Sequence, residues 1–301
     1  MNTRFALALL ASAAMARTRD TVGVQAYQDY CAKYNKHYDT LGSMVHHMHT
    51  WMENKDTVDG LNKANEGTGV TFGINSTSDL TDAEFKKLLG LKKSNNGPPA
   101  PPRPDIGGNM LGGGRHLNED MSVNWIEQGK VHPVKNQGEC GSCWAFAATV
   151  VQESMQAIKT GEPVVRLSEQ EGVDCDTTSE GCNGGWMNAY WKMSSKIGSQ
   201  ANETYKYEGK DGSCRNQTNK KIVSKAKYST YKRMESSNEM RQYIQKGPLS
   251  VAVHAGGDCW RYYESGILSK ANNCNGSWDN LDHGVAAVAL VESGDMPYWI
   301  V

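Results

Sequence analysis

Apolar side chains recur every three or four positions near the start of the chain. Val24, Tyr27, Cys31, Tyr34 and Tyr38 form one series; Leu41, Met44, Met48, Trp51, Val58 and Leu61 form a second. That period puts one face of a helix against a core, so two amphipathic helices are predicted. Val70-Thr71-Phe72 reads as a short strand. Thr81-Asp82-Ala83-Glu84 carries the hydroxyl and carboxylate of a capping box, and Gly90 is placed to close the helix it opens. Between residues 94 and 115 the pattern gives way to proline and glycine, a composition that holds no helix and buries no core. Periodicity returns at Trp144 to Lys159, with Phe146, Val150 and Ala157 on one face and Gly161 as the stop. Leu249 to Val253 and Val285 to Val291 are β-rich runs. Helices first and strands later predict an α+β fold, not a doubly wound sheet.

Composition narrows the class. The chain has 301 residues, 38% of them hydrophobic, enough for two globular domains, and a formal net charge of −1. That charge, with no basic cluster, argues against a nucleic-acid partner. Arg4, the apolar run Phe5 to Ala14 and Ala14-Met15-Ala16 have the layout of a secretory signal peptide cleaved after Ala16. No later stretch approaches the roughly 18 apolar residues of a membrane span, so no membrane association is expected once the signal is removed. The expected organisation is signal peptide 1–16, a helical domain 20–93, a linker 94–115 and a second domain 116–301. Eight cysteines in an exported chain imply disulfides. Asn202, Asn216 and Asn275 head glycosylation sequons; Asn75 does too, in a segment expected to be packed.

The chemistry concentrates in Gln137-Gly138-Glu139-Cys140-Gly141-Ser142-Cys143-Trp144. Ser142 is a candidate N-cap, which puts Cys143 in the first helical turn, where free N–H groups favour a thiolate. A thiolate attacks carbonyl carbon. The Cys140-x-x-Cys143 spacing also occurs in zinc sites and redox pairs, but no second ligand pair follows and no βαβ context is present. No metal and no cofactor are expected. The nucleophile needs a base, and His283 in Leu281-Asp282-His283-Gly284-Val285 precedes an apolar strand. His132 and His254 are rivals; His254 reads as a surface residue at the end of a strand. The amide of Gln137 and the Cys143 N–H are candidates to hold an oxyanion.

Together these segments resemble the papain family of cysteine proteases, cathepsin L-like members in particular. Cys140-Gly141-Ser142-Cys143-Trp144 matches that family's local signature, and the 140 residues between Cys143 and His283 fall inside its roughly 130–150 spacing. Leu167 to Cys175 resembles its L-S-E-Q-x-L-V-D-C stretch, with Gly172 where leucine is usual, and Gly181 to Gly185 matches its G-C-N-G-G loop. The resemblance implies a two-lobe fold, one lobe helical and one barrel-like, and a cysteine endopeptidase made as a zymogen. Its expected location is the secretory pathway, in the lysosome or outside the cell. The expected partners are peptide and protein substrates and the chain's own propeptide as autoinhibitor. It assigns Cys143 as nucleophile, His283 as base and Gln137 to the oxyanion, with Gly184 and Gly185 pairing with substrate backbone. Met187, Ala252 and Gly284 would line an apolar pocket for the residue two before the cut. The helical domain resembles the cathepsin propeptide inhibitor domain: Ser43, His47, Trp51, Asn54, Val58 and Asn62 occupy the spaced positions of its long helix, and Gly73, Asn75, Thr77 and Asp79 those of its G-x-N-x-F-x-D motif. Implied disulfides are Cys140–Cys182 and Cys175–Cys214. The family partner of Cys274 would lie beyond Val301, leaving Cys259 as a substitute. The family's orienting asparagine would also lie beyond Val301, and the chain reads as C-terminally truncated. An inactive peptide-binding homologue and a propeptide-type inhibitor are the competing readings.

Overall fold

The computed structural model describes residues 21–92, 120–215, 221–226, 234, 236–272, 274, 280–294 and 296–301. The predicted signal peptide, the predicted linker and the sequons at Asn216 and Asn275 lie outside them. In chain order the elements are α1 (Thr21–Lys33), α2 (Leu41–Ala64), β1 (Thr71–Phe72), α3 (Asp82–Leu88), β2 (Val123–Asn124), α4 (Cys143–Thr160), α5 (Glu169–Cys175), α6 (Met187–Ile197) and α7 (Ser237–Ile244). There follow β3 (Leu249–Val253), α8 (Asp258–Arg261), β4 (Tyr263–Ser265), β5 (His283–Ala287), β6 (Ala289–Val291) and β7 (Tyr298–Ile300). The mixture is α+β. Among the described residues no helix is long and apolar enough to cross a membrane.

The chain divides into two compact units, one of residues 1–86 with 256–275, the other of residues 87–255 with 276–301. In the first, the two predicted stripes meet: Tyr27 and Tyr30 of α1 pack against Met48 and Trp51 of α2. α1 ends at Lys33, so Tyr34 and Tyr38 reach the same cluster from the turn that follows. That turn is held by one buried carboxylate. Asp79 accepts from Tyr30 Oη (2.8 Å), Tyr38 Oη (2.6 Å) and Lys36 Nζ (2.7 Å). Burial opposes its ionisation, but those three donors outweigh burial and hold its pKa below the ordinary value. The spaced polar positions on α2 tie down the segment that returns across it. Asn62 exchanges two hydrogen bonds with Phe72, and Asn54 Nδ2 donates to Ser78 O and Leu80 O. Thr77 turns inward by donating through its N–H and hydroxyl to Asn75 Oδ1. Asn75 Nδ2 donates to Arg261 O, and β1 pairs antiparallel with β4, so the loop 256–275 belongs to this unit. Cys259 and Cys274 close that loop as a disulfide, so Cys259 does take the place of the expected partner.

The second unit has a helical part and a stranded part. Trp144, Ala145 and Ala148 of α4 pack on Tyr190 and Met193 of α6. Gly161 caps α4 in the left-handed region, φ 77°. Gly172 stands where a leucine would not fit, since even a Cβ there would lie 2.6 Å from the Tyr190 ring. The expected disulfides Cys140–Cys182 and Cys175–Cys214 are both formed. In the stranded part, the run from Val285 to Val291 is not one strand. β5 pairs with β3; from Val288 the chain changes partners, and β6 sits between β2 and β7. Each half gets a full ladder only by changing partners.

A buried ion cluster joins the helical elements. Lys135 Nζ lies 2.6 Å from both Glu153 Oε1 and Glu169 Oε1, and both carboxylates are fully shielded from water. Removing the cation leaves two buried carboxylates without it, a change that costs about 3–5 kcal/mol when a buried pair is broken from one side. Lys135→Met is therefore expected to lower the urea-unfolding stability of the second unit by that amount at neutral pH. A loss under about 1 kcal/mol, the range of exposed pairs, would contradict this.

Candidate active site

Cys143 is the first residue of α4, as its sequence context predicts, but Ser142 does not cap the helix through its side chain. The Ser142 hydroxyl pairs with Tyr207 Oη at 2.7 Å. Tyr207 Oη in turn donates to Gln137 O, also at 2.7 Å. The helix start is fixed instead by backbone: Ser142 O accepts from Ala145 N and Phe146 N, and Gly141 N donates to Cys182 O beside the Cys140–Cys182 disulfide. Trp144, fully buried, donates from Nε1 to Gly181 O. The nucleophile candidate is thus anchored on both sides.

His283 opens β5, whose ladder with β3 sets Val253 opposite His283 and Ala252 opposite Gly284. The Asp282 carboxylate accepts from Ala255 N at 2.7 Å and fixes the turn before the strand. Gly284 N donates to Cys143 Sγ at 3.4 Å, which brings the two candidate residues into one place. His283 Nδ1 is buried with no hydrogen-bond partner among the described residues. Met187, Ala252 and Gly284 also converge: a Cβ on Gly284 would lie 3.2 Å from Met187 Sδ. Of the rival histidines, His132 Nδ1 contacts Pro133 O, and His254 is half-buried, not on the surface as its position suggested.

The site is covered by the chain itself. Gly185 N donates to Gly90 O at 2.9 Å, and Leu91 bridges Gly185 in the parallel sense. Leu91 N donates to Asp282 O, so the segment is gripped from both sides. Gln137 Nε2 donates to Leu88 O (2.9 Å) and Cys140 O (2.8 Å). The amide assigned to an oxyanion therefore holds a peptide carbonyl of the covering segment. Gly90 does not end α3 with a left-handed turn; its role is close approach. A Cβ there would lie 1.7 Å from Gly141 O.

Covering changes the acid–base state. Burial pushes the Cys143 thiol above its ordinary value, against backbone hydrogen bonds from Gly284, Gly90 and Trp144 that favour the thiolate. Burial likewise pushes His283 down to about 4, opposed by Asp282. The helix-start effect expected from sequence is overridden by dehydration. Both groups are neutral here, which suits a latent site. On uncovering, His283 regains an ordinary value near 6.5 and binds a proton that the covered state rejects. The covered state thus keeps its full stability above about pH 6.5 and loses it as pH falls toward 4. In the full chain, alkylation of Cys143 is expected to speed up between pH 6.5 and 4, while the half-buried Cys31, whose thiol burial also raises, slows. Peptide mapping after brief labelling measures both. Parallel slowing of Cys143 and Cys31 on acidification would contradict the account.

Sequence reading did not single out Tyr207, Asp282 or Asp211, whose carboxylate accepts from Cys182 N. Tyr207 and Asp211 act over distances no local motif encodes; Asp282 was adjacent to His283 and carried the signal of a turn-fixing carboxylate.

Residues 120–301 match the model of the papain family cysteine proteases, and residues 27–85 match the cathepsin propeptide inhibitor domain. The oryzain beta chain of Oryza sativa subsp. japonica is 38% identical over 260 residues, which cover 83% of this chain and 52% of that protein. Chymopapain of Carica papaya is 32% identical over 289 residues, 92% of this chain and 76% of that one. Digestive procathepsin L2 from Tenebrio molitor larval midgut is similar in structure, with a TM-score of 0.73 and 27% identity over 92% of this chain and 88% of that chain. The chain spans about half the length of the rice relative. It belongs to the papain family of cysteine proteases and carries that family's propeptide inhibitor domain.

Proposed function

We propose that the chain is the zymogen of a cysteine endopeptidase with Cys143 as nucleophile and His283 as general base. The thiolate adds to the scissile carbonyl; Gln137 Nε2 and the Cys143 N–H hold the developing oxyanion. His283, having taken the thiol proton, gives it to the leaving amine, and water then hydrolyses the thioester with His283 as base. Gly184 and Gly185 offer backbone to an extended substrate, and Met187, Ala252 and Gly284 accept an apolar side chain. The observation that carries this reading is the segment 88–92: a peptide paired with Gly185, its carbonyl on Gln137, lying over Cys143. Residues 20–93 would act as the inhibitor domain, 94–115 as the linker cut on maturation and 116–301 as the peptidase. The signal peptide directs the chain to the secretory pathway, to the lysosome or the exterior. Membrane and nucleic acid have no part in the reading.

The test is maturation and turnover. After acid incubation the wild-type chain is expected to give a product starting between about residues 107 and 118, on the downstream side of the proline- and glycine-rich linker. That product should cleave fluorogenic peptides, with His283→Ala lowering kcat/KM by about a thousandfold or more. Cys143→Ala should give neither processing nor turnover. Turnover retained in Cys143→Ala would overturn the assignment.

A further inference from the structure

Tyr207 lies in the loop after α6, far along the chain from Cys143, yet its phenol reaches the segment that carries the nucleophile. The loop is pinned at two points: Tyr207 N donates to Asn202 Oδ1 at 3.2 Å, and Glu208 N donates to Gln170 Oε1 of α5 at 2.8 Å. The ring stands edge-on to Phe146 of α4, with centroids 4.9 Å apart. The hydroxyl then has two partners, Ser142 Oγ and Gln137 O, each at 2.7 Å. A carbonyl only accepts, so the single phenol proton goes to Gln137 O, and the buried Ser142 hydroxyl donates to the phenol oxygen. The other contact of that hydroxyl, Cys140 O, is 3.4 Å away. Burial pushes the Tyr207 pKa up to about 12, so the phenol keeps its proton at neutral and acidic pH.

The two oxyanion donors depend on these two residues. Gln137 carries the amide, and the Ser142 carbonyl shares one peptide group with the Cys143 N–H. In the covered chain the amide hydrogens of Gln137 rest on Leu88 O and Cys140 O. Departure of the covering segment frees the first and leaves the second. Cys140 O then holds the Gln137 side chain, and Tyr207 holds its backbone. We propose that Tyr207 is a positioning residue that fixes the distance between the Gln137 amide and the Cys143 N–H, so that both point at one oxygen. The proposal rests on the peptidase reading above. Tyr207 itself touches no substrate and acts through Gln137. Without the bridge the donor is displaced, not removed, so the loss falls short of the hundredfold or more, roughly, that follows deletion of an oxyanion donor.

The test variant is Tyr207→Phe, which keeps the ring beside Phe146 and loses the hydroxyl alone. In the matured protein, with active thiols titrated, kcat on a fluorogenic peptide amide is expected to fall about tenfold, with KM within about twofold of wild type. Alkylation of Cys143 by iodoacetamide passes through no oxyanion, so its rate in the same samples should stay within about twofold. A phenol that only supports the fold would disturb thiol, imidazole and amide alike. Equal losses in turnover and alkylation therefore overturn the proposal, as does an unchanged kcat. Gln137→Ala should lower kcat about a hundredfold, and Tyr207→Phe added to it should remove less than about threefold more. A further loss of about tenfold would show that the phenol acts elsewhere, and would overturn the proposal. A second cycle needs no catalysis. In the unprocessed chain Gln137 holds Leu88 O, so Tyr207→Phe should speed Cys143 labelling about threefold, and should have almost no effect when Gln137 is already alanine. If wild type cleaves no peptide, the peptidase reading fails on its own. Effects that multiply in this second cycle would overturn the proposal separately.

Discussion

The arrangement depends on a backbone ladder one residue wide. Gly90 O on Gly185 N, with Leu91 N on Asp282 O, lays a piece of the chain across its own thiol. Several features meet there. The approach is close enough to require a glycine at position 90. The disulfide Cys140–Cys182 fixes the wall it lies against. Gln137 spends its amide hydrogens on carbonyls in that region, and Cys143 is buried from water. Dehydration then does electrostatic work. It raises the pKa of the thiol and lowers that of the imidazole, so both side chains stay neutral in the closed site.

The inhibitor domain is built to a different rule. Its centre is a buried carboxylate, Asp79, saturated by two phenols and a lysine, with aromatic rings packed around it. Such a site has one satisfactory arrangement, and leaving any donor unpaired is costly. The polar residues spaced along α2 point at backbone groups of the returning segment, so the helix serves as a template on which an irregular stretch becomes specific.

Much of this was legible in the sequence, for physical reasons that differ by residue. The helical stripes of α1 and α2, the capping box at Thr81 and Glu84, and the stop at Gly161 are local, so a window of a few residues contains their causes. Cys143, His283 and Gln137 stood out as candidates because such chemistry demands particular residue types in particular surroundings, and the fold brings them to one region. What was hidden was tertiary. Ser142 has the composition of an N-cap, yet Tyr207, far along the chain, takes its hydroxyl. Val285 to Val291 has uniform β character, and only the competition between two partner strands splits it at Val288. Gly90 has the look of a helix stop, and its need for close approach is visible only once Gly141 is beside it.

The central claim is that the segment around Gly90 silences Cys143 by covering it. Gly90→Ala tests this most directly, because its methyl group would meet the Gly141 carbonyl, a backbone atom that cannot move aside cheaply. Overpacking of about 1–3 kcal/mol should favour the uncovered state. The measurement is the rate of Cys143 alkylation in the unprocessed chain at fixed pH, with Cys31 as internal reference. The account predicts acceleration of Cys143 by about tenfold with Cys31 unchanged. An unchanged Cys143 rate in a folded Gly90→Ala chain would contradict it.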